Sequence, residues 1–141
     1  MAASYNKFNY WAEISQKGVN LASDTLNVML SNTLPVAGNN TYLLNADIGT
    51  QNGYVASGSS ITITTNSQTT GTYTLAANQV VFTAAGGTIG PFRYVILFDL
   101  TTSGGPNIAW WDYGSSITLQ NGETFTVQFN SATPGTIYTL A

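Results

Sequence analysis

The chain has no histidine and no cysteine, and its 141 residues include only three basic and six acidic side chains. General acid–base catalysis near neutral pH draws on His, or on a carboxylate or Lys with a displaced pKa. Thiol nucleophiles, Ser-His-Asp triads and His/Cys metal sites are excluded by absence. A charged fraction of 6% lies far below the roughly 25% usual in soluble domains. Such a chain has little electrostatic protection against self-association, so an oligomer or an assembly component is expected. The net charge is −3 with no basic stripe, which argues against a nucleic-acid partner. No apolar run approaches about 18 residues, so no membrane-spanning segment is expected. Met1-Ala2-Ala3-Ser4 does not lead into an apolar run, and no secretory signal is expected.

What fills the space is Thr, Ser, Asn and Gln interleaved with Val, Ile, Leu and aromatics, the composition of a β-rich surface. A structural or binding role is expected, with no enzyme activity and no cofactor. Residues 1–141 suit a single domain, which at this size buries roughly two-thirds of its unfolded surface. Without cysteine, packing alone must hold it.

The N-terminal segment, residues 4–18, predicts the one helix or arm. Ser4 is the expected N-cap, Tyr5, Phe8, Trp11, Ala12 and Ser15 recur at helical spacing, and Gly18 suits a left-handed C-terminal stop. The segment either caps a β core or packs on a neighbouring subunit, in which case Phe8 and Trp11 are interface residues. From Asp24 onward the period becomes two. Leu26–Leu30 predicts a strand, Val36–Gly58 a surface excursion anchored by Leu43, Leu44 and Ile48, and Ser60–Thr64 a strand with one wetted face. Thr72–Leu75 and Gln79–Thr83 follow.

Phe92–Phe98 is apolar on both faces, marking a central strand covered on both sides or one whose outer face is an interface. Thr102–Asn107 predicts a reversal into Ile108–Tyr113. Asn121-Gly122, between Ser116–Leu119 and Thr124–Phe129, predicts a type I′ hairpin turn. Ile137–Leu140 predicts a closing strand. The expected fold is therefore all-β: a two-sheet antiparallel β-sandwich, jelly-roll or Greek-key, with one short N-terminal helix.

Few residues invite chemistry. Hairpin pairing should bring Asp99 and Asp112 near one another, where they could hold Ca²⁺ or, with Glu123, act as a glycosidase carboxylate pair. The bland alternative, strand-end carboxylates in solvent or partners of Arg93, is favoured, since no calcium-loop motif is present. Arg93 either pairs with a carboxylate or reaches a partner. In Trp110-Trp111-Asp112-Tyr113, alternation places Trp110 and Asp112 on one face and Trp111 and Tyr113 on the other. One Trp should be core, leaving the other for a subunit interface or for stacking on a glycan. Ala85–Pro91 is Gly-rich, lacks a phosphate-loop Lys, and predicts a turn.

Several blocks in order resemble a family of small virion proteins of tailed bacteriophages. They are Tyr5-Asn6-Lys7-Phe8, Gly18-Val19-Asn20-Leu21, Ser23-Asp24-Thr25-Leu26, then Gly86–Tyr94, Trp110–Ile117 and Gly122–Val127. The resemblance runs from about Tyr5 to Leu140 and is weakest over Val36–Gly58. It implies a capsid decoration (cement) protein, a trimeric β-sandwich on the outer surface of the phage head that stabilises contacts of the major capsid protein. A tail or fibre module is the neighbouring alternative, and a carbohydrate-binding module a third. The family supplies no catalytic residues. A threefold ring would use the Phe92–Phe98 or Trp110–Tyr113 strand, with Arg93, Tyr94, Trp110 and Tyr113 at its interface.

Overall fold

A computed structural model describes residues 3–42 and 46–141. In chain order the elements are β1 (Asn6–Lys7), α1 (Trp11–Lys17), β2 (Leu26–Ser31), β3 (Ser59–Ser60), β4 (Ile63–Thr69) and β5 (Thr72–Ala77). There follow β6 (Val80–Thr83), β7 (Ile89–Asp99), β8 (Asn107–Leu119), β9 (Thr124–Val127), a 3-10 turn at Phe129–Ser131, and β10 (Gly135–Leu140). Among the described residues the protein is mostly β, with antiparallel sheets and one short α-helix. A five-stranded sheet runs β1-β8-β7-β2-β3, a three-stranded ladder β10-β5-β4, and a two-stranded ladder β6-β9.

Period two in β2, β7 and β8 sends Leu26, Val28, Leu30, Val95, Leu97, Ala109 and Trp111 to one face of the large sheet. There they join Leu75, Ala77, Phe82, Phe125, Val127 and Ile137 of the two small ladders in one buried cluster. Burying each large side chain in it contributes about 1.5–3 kcal/mol. The opposite face buries Phe8, Met29, Ile96 and Phe98, with Tyr42 and Trp110 packed against them. The doubly apolar Phe92–Phe98 run is therefore covered on both sides by its own chain.

The cover on that second face comes from the excursion after β2. Tyr42 stacks on Phe98 with ring centroids 4.7 Å apart, and its N–H donates to Gly105 O at 2.9 Å. The Asn107 N–H donates to Asn40 O at 3.0 Å, and the Asn27 side-chain amide to Ser57 O at 2.9 Å. Ile48 packs against the main core as expected, whereas Leu43 and Leu44 lie outside the described residues.

Three local expectations are corrected. The helix begins at Trp11, with Tyr10 as N-cap, and Ser4 caps nothing. Asn6 and Lys7 instead pair with Trp110 and Ala109, because the open edge of β8 offers backbone partners that outweigh a short helix's weak nucleus. Gly18 has φ −133°, so the helix stops without a left-handed residue. The turn at Asn121-Gly122 is closed by the Glu123 N–H on Gln120 O, but of its two central residues only Gly122 has positive φ (+89°), so it is not type I′. It joins no hairpin either: β9 pairs with β6, and the turn carries the chain from the large sheet to the small ladder. Opposite the five-stranded sheet, the remaining strands form two separate ladders, β10-β5-β4 and β6-β9.

Candidate functional site

The pairing of β7 with β8 slips in register between Phe92 and Tyr94, after which Tyr94 sits opposite Asp112. Such irregularities re-aim side chains. Arg93 grips Asp112 with two bonds, Nε to Oδ1 at 2.8 Å and Nη2 to Oδ2 at 3.0 Å, and lies 5.5 Å from the Tyr94 ring centroid. The Gly114 N–H adds a third bond to Asp112 Oδ1 at 2.8 Å. These bonds, the Arg93 one first, hold the Asp112 carboxyl below its usual range, and the same contact raises the guanidinium. Of the two expectations for Arg93, the intramolecular pair is the one formed. Both side chains keep over a third of their surface in water, 39% and 38%.

The remaining interface candidates divide. Phe8, Trp11 and Tyr94 are all buried, so none of the three offers a broad exposed face, and Trp11 borders solvent only where it lines a groove with Tyr5, Tyr73 and Tyr138. Phe8 lies under Trp110, ring centroids 4.6 Å apart, because β1 brings it onto the second cluster. Trp110 is half-buried there, while Trp111 belongs to the main core against Phe129 and Tyr5. Tyr113 is exposed and meets Phe125 edge-on at 5.6 Å. Alternation across Trp110-Trp111 is as expected, with Trp111 in the core and Trp110 half-buried against Phe8.

Asp99 and Asp112 do not meet. The reversal falls next to Asp99, so β8 residue Asn107 lies opposite Phe98, and Asp112 lies several rungs away opposite Tyr94. Asp99 is fully buried, its Oδ1 accepting the N–H groups of Thr101 at 2.9 Å and Thr102 at 3.0 Å. Glu123 Oε1 accepts the Gln120 N–H at 2.6 Å and closes its own turn. Among the described residues no cluster of three or more acidic side chains forms a metal cage. The Gly86-Gly87 stretch is a bend, and Gly90 N–H donates to Gln51 Oε1 at 2.8 Å. No helix among the described residues is long and apolar enough to cross a membrane.

Two surfaces escaped the motif reading. Residues 48–92 contain no charged side chain, nor do residues 124–141, so the β10-β5-β4 ladder is uncharged throughout. Its register puts Thr65, Ser67, Thr69, Thr72, Thr74, Thr136 and Thr139 on the face opposite Leu75 and the core. The spacing of charges along the chain was the signal for this face. The second is a groove of about 520 Å³ between α1 and the ends of β5 and β10, walled by Tyr5, Trp11, Tyr73 and Tyr138. Burial pushes the Tyr5 hydroxyl up to about 12 and raises Tyr138 and Tyr73 as well. No single motif predicts this groove, because its walls come from four separate segments.

Comparison of the chain with protein-family models, with curated proteins and with solved structures finds no match.

Proposed function

We propose that this protein is a virion structural protein, a capsid decoration (cement) protein that binds the outer surface of a phage head. The finer architecture proposed with it is a β-sandwich, its second layer built jointly by the β10-β5-β4 and β6-β9 ladders. The observation that carries the reading is the charge-free, threonine-lined face of the β10-β5-β4 ladder. Such a face desolvates without stripping an ion of water, so it packs on a neutral neighbour at low cost. The sequence blocks that resemble phage virion proteins support the same reading, and three of them lie on the β7, β8 and β9 segments.

In this mechanism many weak contacts act together on a lattice. Binding only to the assembled head stabilises it by mass action. The major capsid protein is the partner, with further copies of this chain, as a homotrimer, around each site. Tyr113 and the Arg93–Asp112 pair remain available as polar contacts at that interface.

The test is the copy number of this protein per purified particle, measured by quantitative mass spectrometry against the major capsid protein. Near-equal stoichiometry is expected. A few copies would move the protein to a tail or fibre, and absence from particles would sink the proposal. One observation favours a second reading: the aromatic groove of Tyr5, Trp11, Tyr73 and Tyr138 has the ring-walled, hydroxyl-bearing character of carbohydrate sites. Glycan-array binding without particle association would select it.

A further inference from the structure

Asp24 precedes β2 and Asp99 ends β7, and both converge on one hydroxyl. Thr102 Oγ1 lies 3.1 Å from Asp24 Oδ2, 3.1 Å from Asp99 Oδ2 and 3.4 Å from Gly18 O. A threonine hydroxyl has one hydrogen to give. It cannot satisfy two carboxylate oxygens and a carbonyl together. The other donors nearby are already placed: the Asn20 N–H on Asp24 Oδ2 at 2.8 Å, and the Thr101 and Thr102 N–H groups on Asp99 Oδ1.

Among the described residues no ion pair involves either acid; the pairs formed are Lys17–Glu13 on α1 and Arg93–Asp112 across β7 and β8. Those four groups are the other charges on α1, β7 and β8; β2 and the turn at residues 100–106 carry none. One hydrogen on Thr102 cannot serve both carboxylates, so a proton on one acid, donated to Thr102 Oγ1 while Thr102 donates to the other, completes the set. Like charges sharing one site retain a proton in this way.

We propose that Asp24 and Asp99 form a proton-held clasp that fastens the α1–β2 connection, residues 18–25, to the turn that follows β7. With the proton in place, one acid donates to Thr102 Oγ1 and the Thr102 hydroxyl donates to the other, so the clasp closes through Thr102. When the proton leaves, a fully buried Asp99 carboxylate faces Asp24 with no ion-pair partner among the described residues, and the connection loosens. The device acts on this segment whatever the protein binds.

The sign follows from the two groups. Burial first, then the neighbouring Asp24 carboxyl and its charge, raise Asp99 above the usual carboxylate range. Its contribution is full below the unfolded value and is lost as pH rises through the folded one. Desolvation also acts upward on Asp24, but the Asn20 N–H, the Asp99 carboxyl and the Thr102 hydroxyl outweigh it, so Asp24 is lowered. Its contribution is lost only as pH falls through that lowered value. Stability should peak on the acid side and decline toward neutrality.

Without His or Cys, no other side chain has an ordinary pKa between about pH 5 and pH 8, so a slope there is attributable. The experiment combines carboxyl ¹³C NMR titration of Asp24 and Asp99 with thermal melts from about pH 4.5 to about pH 8. The wild-type midpoint should fall by about 3–5 °C across that range, with Asp99 titrating above the ordinary value of about 3.9. Asp99→Asn places an N–H where the proton sits and keeps an acceptor for Thr101 and Thr102. Its melting profile should be flat, and no lower than wild type at the alkaline end. Asp24→Asn removes the facing charge and should bring Asp99 down toward the ordinary range, which decides the matter if Asp99→Asn fails to fold. A flat wild-type profile, or Asp99 titrating at the ordinary value, overturns the clasp.

Discussion

Tyr54 ties the excursion after β2 to the core through one hydroxyl. The oxygen accepts the Leu30 N–H at 3.0 Å and donates to Asp47 Oδ2 at 3.3 Å, while Asp47 Oδ2 also accepts the Ser57 N–H at 2.8 Å. The ring lies 5.6 Å from Phe82 in the main core. Tyr54→Phe keeps the ring and leaves the buried Leu30 N–H without its acceptor, so it should cost about 1–3 kcal/mol. Urea unfolding should report a lower midpoint with an unchanged slope. At this scale the division of Trp110 from Trp111 follows from strand alternation, and a carboxylate partner for Arg93 follows from a lone guanidinium in an apolar strand, but that the partner is Asp112, 19 residues on, was set by strand pairing. Tyr54 was not singled out, because its importance depends on where Leu30 and Asp47 arrive in space.

At the scale of elements, the N-terminal segment shows how a tertiary edge overrides a local pattern. Tyr5, Phe8 and Trp11 recur at helical spacing, yet only Trp11 onward is helical. The two-residue β1 and the Phe8 N–H on Ile108 O, at 3.1 Å, fix the preceding residues along β8. Phe8 then closes the second apolar cluster of Met29, Ile96 and Phe98. Phe8→Ala should therefore cost about 3–5 kcal/mol, as large core truncations do. Trp110 emission should shift to the red as its neighbour is removed, and the shift separates this packing role from a partner-facing one. The same logic explains the Asn121-Gly122 turn. Its residues mark a reversal, but whether the next strand joins the same sheet is decided by which edge is open.

For the whole molecule, the distribution of charge matters more than its total. The charged side chains lie in residues 7–47 and 93–123, which leaves the β10-β5-β4 ladder neutral. If that face meets the capsid as proposed, Ser67→Lys with Thr139→Lys should weaken particle binding by more than about tenfold, since two ammonium groups must be desolvated. Both positions are exposed and flank Thr74 in the ladder, so folding stability should stay within about 0.5 kcal/mol of wild type. A sedimentation assay with purified particles checks the first and a thermal melt the second.

The sequence by itself determined that the chain is β-rich and antiparallel, that Phe92–Phe98 is central, and that no His- or Cys-based chemistry is available. These follow from composition and from the period-two pattern, which are local properties. The tertiary structure alone decided that the second apolar face is covered by the chain's own excursion, that Asp99 shares the Thr102 hydroxyl with Asp24 and lies away from Asp112, and that four aromatic side chains from separate segments wall one groove. The physical reason is the same in each case. Backbone pairing satisfies N–H and C=O groups along whichever edge is free, and that choice, invisible in any short window, sets which distant side chains become neighbours.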